Sequence, residues 1–162
     1  MALALKTVAV LVANPALSSI LSMTLAGAPS LRVRPFESRL ALKTYLRLAS
    51  ADIVVTDFDS ELARADLLAE DLRHDEAIQS RNLQIIALAS SLTADAKAAS
   101  IHAGIDEIIM KPMSPKYLVE RVLARLAKPK LPDRRQGRLR KRDWSTFGDN
   151  VVPLFRPTQT QH

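Results

Sequence analysis

Short apolar runs alternate along the chain with segments whose apolar residues recur every three or four positions. Val8-Ala-Val-Leu-Val12, Ile53-Val-Val-Thr56, Leu83-Gln-Ile-Ile-Ala-Leu88 and Ile105 to Met110 are too short for helices and rich in β-branched side chains, so they predict buried strands. Leu31-Arg-Val33 is interrupted by a charge and precedes Pro35, which suits the edge of a sheet. Between these runs the period changes. Asn14-Pro15 offers a cap and a first-turn proline to a helix carrying Leu17, Ile20, Leu21 and Leu25, and Gly27 closes it. Ser38 caps a helix with the stripe Leu40, Leu42, Tyr45, Leu46 and Leu48. Glu61 to His74 alternates charges with Leu62, Leu67, Leu68 and Leu72, Thr93 opens an Ala-rich helix ended by Gly104, and Ser114-Pro115 starts one through Leu118, Val119, Val122, Leu123 and Leu126.

Five strand-like runs, each followed by a helix, predict an α/β domain with a parallel sheet, because parallel neighbours need crossover connections of about this length. The run ending at Asp57 matters most. Ligands of such sheets sit outside the carboxyl ends of the strands, and Asp57 stands at one of those ends with Asp59 two residues beyond.

Charge divides the chain in two. Residues 1–127 carry 14 basic and 14 acidic side chains, whereas residues 128–162 carry 9 and 3, so the net charge of +6 belongs to the tail. The predicted domain is therefore 1–127, followed by a basic tail, 128–162, with no apolar period through Arg142 and the expectation of disorder. Within the tail, Trp144, Phe147, Val151, Val152, Leu154 and Phe155 gather the single Trp and two of the four Phe, which marks 144–155 as a docking segment for a partner or for the domain itself. Lys128 to Arg142 can neutralise phosphates of nucleic acid or an anionic membrane, although a solubilising linker explains the charges equally well. With no cysteine, disulfides and thiolate chemistry are excluded. No run approaches the roughly 20 apolar residues of a membrane span and the amino terminus lacks a signal-peptide pattern, so a cytoplasmic location is expected.

Asp52-Ile-Val-Val-Thr-Asp57 resembles the phospho-acceptor strand of bacterial response-regulator receiver domains, and Gly104-Ile-Asp-Glu-Ile-Ile-Met-Lys111-Pro112-Met-Ser-Pro resembles their final strand and Lys-Pro turn. The resemblance runs from Val8 to Leu126. It implies a flavodoxin-like (CheY-like) five-stranded parallel sheet, order 2-1-3-4-5, with helices on both faces. It also implies two-component phosphorelay signalling: Asp57 accepts a phosphoryl group from a histidine kinase or phosphotransfer protein, Lys111 binds phosphoryl oxygens across a cis Lys-Pro bond, and a downstream protein partner reads the result. A homodimer is compatible with this picture.

Several positions depart from the family pattern. The acidic pair that holds Mg²⁺ in receivers aligns with Ala13 and Asn14, which leaves Asp57, Asn14 and Asp59 as a weak or absent metal site, since Mg²⁺ favours carboxylate oxygens. The phosphate-reading hydroxyl aligns with Ala89, with Ser90 as its substitute, and the switch aromatic aligns with Ile108. Asn14 also reads as a helix cap, and Asp57 also reads as a strand-end carboxylate capping its loop. The expectation is an atypical stand-alone receiver acting by protein–protein interaction. A phosphorylation-independent docking protein and a nucleic-acid-associated regulator are the alternatives. No Gly-rich phosphate loop or nucleophile elbow is present, so no enzyme is expected beyond autophosphorylation and dephosphorylation at Asp57.

Overall fold

Three strands are mostly apolar because both of their faces are covered. β3 (Ile53–Asp57) is buried along its whole length, and β1 (Lys6–Leu11) and β4 (Gln84–Ala89) are buried except at their first residues. The computed structural model describes residues 4–60 and 64–127. With β2 (Leu31–Phe36) and β5 (Glu107–Met110) these strands form one parallel sheet in the order β2-β1-β3-β4-β5. The expected topology is therefore the observed one. Pro35 lies in edge strand β2, where a missing donor costs nothing on the open side.

Side-chain alternation along the strands sorts the core into two halves. Ile53 and Val55 join Val8, Val10, Ile86, Leu88 and Ile109 under α1 (Pro15–Ala26) and α5 (Pro115–Ala127), which contribute Leu21, Leu25, Leu118 and Val122. Val54 joins Ala9, Leu11, Ile85, Ala87 and Ile108 under α2 (Arg39–Leu48) and α3 (Ala65–His74), which contribute Leu42, Leu46, Leu68 and Leu72. α4 (Ala94–Ala103) packs beside α3.

The helix ends follow the expected chemistry. Asn14 Oδ1 accepts from the amides of Ala16 and Leu17, Ser38 Oγ from Ala41, Thr93 Oγ1 from Ala96 and Ser114 Oγ from Tyr117. Gly104 ends α4 at φ 104°, and a Cβ there would meet Arg73 Cγ at 2.9 Å.

Other expectations need correcting. Leu40 and Leu48 of the α2 stripe are 75% and 81% exposed. Residues two apart on a helix point nearly opposite ways, so the Leu42/Leu46 pair faces the sheet at their expense. Ile20 is exposed as well, because it sits about 100° around α1 from the buried Leu21. Of the segment 61–74, the described helix spans Ala65–His74 after Arg64, which makes no side-chain cap, and 61–63 lie outside the described residues. The whole tail lies outside the described residues, including Trp144, Phe147, Leu154 and Phe155.

Candidate functional site

Strand register brings the site together. β4 lies between β3 and β5, pairing Asp57 with Leu88 and Ala89 with Met110, so the residues that follow all three strands share one edge. The Lys111 amide donates to Ala89 O at 2.7 Å, the Phe58 amide donates to Leu88 O at 2.7 Å, and the Lys111–Pro112 peptide is cis. Lys111 Nζ thereby reaches Asp57, donating to Oδ1 and Oδ2 at 3.2 Å each. The Asp59 amide also donates to Asp57 Oδ1, at 2.8 Å, a turn the aspartate makes with its own loop.

Asp59 is drawn in more tightly than Asp57. Its Oδ2 lies 2.6 Å from Lys111 Nζ and accepts from Ser90 Oγ at 2.7 Å and from the Ser90 amide at 3.1 Å. The Ser90 amide also donates to Oδ1 at 2.9 Å. Burial pushes the Asp59 carboxyl up, but the Lys111 and Ser90 hydrogen bonds outweigh it and hold the group below the ordinary carboxylate value. Burial likewise lowers Lys111, and its bonds to Asp59 and Asp57 reverse this, leaving the ammonium harder to deprotonate than usual.

Exposure is graded across the cluster. The side chain of Asp57 is 6% exposed, that of Lys111 19% and that of Asp59 29%. An open recess lined by Leu17, Ser90, Lys111, Pro112 and Met113 adjoins them. Asp57 and Lys111 form the central pair of the site. The two groups do converge, but solvent reaches Lys111 and Asp59 far more than Asp57.

Asn14 has a different task, since its carbonyl oxygen caps α1. The donors fit Mg²⁺ poorly. Asp57 and Asp59 both hold an ammonium, Ala13 offers a methyl group, and no cluster of three or more metal-ligating His, Cys, Asp or Glu occurs among the described residues. Ala89 and Ile108 are buried in the core on the α2/α3 side.

Two buried charge clusters escaped the sequence reading. Arg73 of α3 donates to Leu83 O at 2.6 Å, to Gly104 O and to Asp106 Oδ2 at 3.0 Å, tying α3 to the starts of β4 and β5. Fully buried Glu107 pairs with Arg121 Nη2 at 2.6 Å and Arg125 Nε at 3.2 Å, fastening α5 to β5.

No family model and no curated protein matches the sequence. Solved structures do match. A CheY-like response regulator receiver domain protein from Methanospirillum hungatei superposes with TM-score 0.66 at 17% identity, covering 76% of this chain and 94% of its own. A protein described as a response regulator from Chloroflexus aurantiacus gives TM-score 0.66 at 23% identity, covering 76% and 99%. The isolated receiver domain of RcsB from Salmonella enterica, solved with phosphomimetic BeF₃⁻, gives TM-score 0.62 at 20% identity, covering 78% and 92%. The chain has the fold of CheY-like response regulator receiver domains. No described helix is long and apolar enough to cross a membrane.

Proposed function

We propose that this receiver-fold domain is an atypical receiver of two-component phosphorelay signalling, in which Asp57 accepts a phosphoryl group and passes the change on by protein–protein interaction. The observation that carries this is the Lys111 ammonium on both Asp57 oxygens, at 3.2 Å, at the carboxyl edge of the sheet. In the reaction an Asp57 oxygen attacks phosphorus. The bond from phosphorus to the donor breaks, and the donor leaves with the electron pair, as a histidine imidazole from a kinase or phosphotransfer protein or as acetate from acetyl phosphate. The transition state is loose, so the site's task is to position the acceptor and neutralise charge, and Lys111 does both. Mg²⁺ is at most weakly held in this proposal, and no step depends on it. Phosphorylation is tested by incubating the chain with acetyl phosphate and recording its intact mass. A gain of one phosphoryl group, absent from Asp57→Asn, is expected; no gain in either protein refutes the reading.

A second reading is favoured by the engagement of Lys111 and Ser90 with Asp59. Here the domain is a docking protein that works without phosphorylation, with 144–155 as its contact segment. It predicts normal signalling from Asp57→Ala and loss of signalling on deleting 143–155, the opposite of the first reading for Asp57.

A further inference from the structure

Asp59 Oδ2 receives three donors: Lys111 Nζ at 2.6 Å, Ser90 Oγ at 2.7 Å and the Ser90 amide at 3.1 Å. A carboxylate oxygen held by an ammonium, a hydroxyl and a backbone amide sits in the surroundings that stabilise an oxyanion, and a phosphoryl oxygen asks for the same donors. The ammonium lies nearer to Asp59 than to Asp57, by 2.6 Å against 3.2 Å. Asp57 is the most covered member of the group, and an incoming phosphorus must still reach its oxygen in line. We propose that Asp59 is a built-in anion that occupies the phosphoryl-oxygen subsite beside Asp57, holding Lys111 and Ser90 until a phosphoryl group displaces it.

This deepens the proposed function and rests on it. With a carboxylate already in the cradle, the domain rests with the loop after β3 latched through Asp59 to Ser90 after β4. An incoming phosphoryl group takes over Lys111 and Ser90, the Asp59 carboxylate turns out to solvent, and the side-chain tie between Asp59 and Ser90 is broken. The conformational signal therefore begins at Asp59. If Asp59 instead helped to hold a cation or simply braced the loop, removing it would slow labelling or leave it unchanged.

The test compares the full chain with Asp59→Ala. Asp59 lies at the solvent edge, its side chain 29% exposed, and backbone amide NMR spectra of the variant are recorded first to check that it keeps the fold. Phosphoryl gain from acetyl phosphate is expected to be faster in Asp59→Ala by on the order of tenfold, the factor set by about 1.4 kcal/mol of lost competition. An equal or slower rate overturns the proposal. Inorganic phosphate, titrated against the Ser90 amide signal in an Asp57→Asn background, separates the subsite from the acceptor. There Asp59→Ala is expected to tighten phosphate binding roughly tenfold. Unchanged affinity overturns the subsite even if Asp57 is labelled, whereas tightened binding without labelling in any variant leaves the subsite standing and removes Asp57 as acceptor.

Discussion

Replacing Lys111 with Met removes the cation shared by Asp57 and Asp59 while keeping most of the side chain's bulk. The cost follows from how covered each partner is. Asp57, with a side chain 6% exposed, is left without its cation and, among the described residues, keeps the hydrogen bond from the Asp59 amide. Losing one member of a fully buried pair costs about 3–5 kcal/mol, and the partial exposure of Lys111 reduces that to about 2–3 kcal/mol. The Asp59 contact, nearer to solvent, adds no more than about 1 kcal/mol. Urea unfolding at pH 7 is the assay, run as a double-mutant cycle with Asp57→Asn. In the Asp57→Asn background, where the buried carboxylate is gone, the Lys111 substitution should cost far less, giving a coupling of about 2 kcal/mol. A coupling below about 0.5 kcal/mol would mean that the ammonium does not hold Asp57, and the two groups would not form the charge-paired site described above.

Other outcomes follow from the same contacts. Because the folded-state value of Asp59 lies below its ordinary 3.8, its stabilisation is present above that value and is lost as pH falls through the lower one. Wild-type protein should therefore lose more stability than Asp59→Ala between about pH 5 and about pH 3 in urea titrations, and parallel losses would contradict this. Lys111 has the opposite sense: its contribution is complete below 10.5 and fades only as pH rises through the higher folded-state value. Gly104→Ala places a Cβ 2.9 Å from Arg73 Cγ at φ 104°, and should cost about 1–3 kcal/mol in thermal unfolding; a neutral result would show that Arg73 does not lie across that turn. Glu107→Ala leaves the buried guanidinium of Arg125 without its carboxylate and should cost about 3 kcal/mol by denaturant unfolding, whereas a loss below about 1 kcal/mol would show the cluster to be dispensable.

Much of the architecture was legible because local chemistry and tertiary placement agree. The β-branched run before Asp57 is buried on both faces, and Asn14, Ser38, Thr93 and Gly104 end their helices as their side chains, or the lack of one, require. Spacing alone found Leu21, Leu25, Leu42 and Leu46 but also took in leucines that the core leaves out. Leu40 and Leu48 are hydrophobic but sit off the packed face of α2, and composition cannot say which of several leucines a sheet will cover. The site was legible as a pair of groups, Asp57 and Lys111, but not as a network. Only the register of β5 beside β4 brings Lys111 and Ser90 within reach of Asp59. Arg73 and Asp106 are 33 residues apart, and nothing near either of them in the sequence announces the other.

Whether Asp57 is the acceptor and Asp59 its displaceable neighbour can be tested at the level of the residue modified. After incubation with acetyl phosphate, hydroxylamine converts an acyl phosphate to a hydroxamate, which peptide sequencing by mass spectrometry locates on the chain. The hydroxamate is expected at Asp57 and nowhere else. A hydroxamate at Asp59, or none at either position, would contradict these assignments.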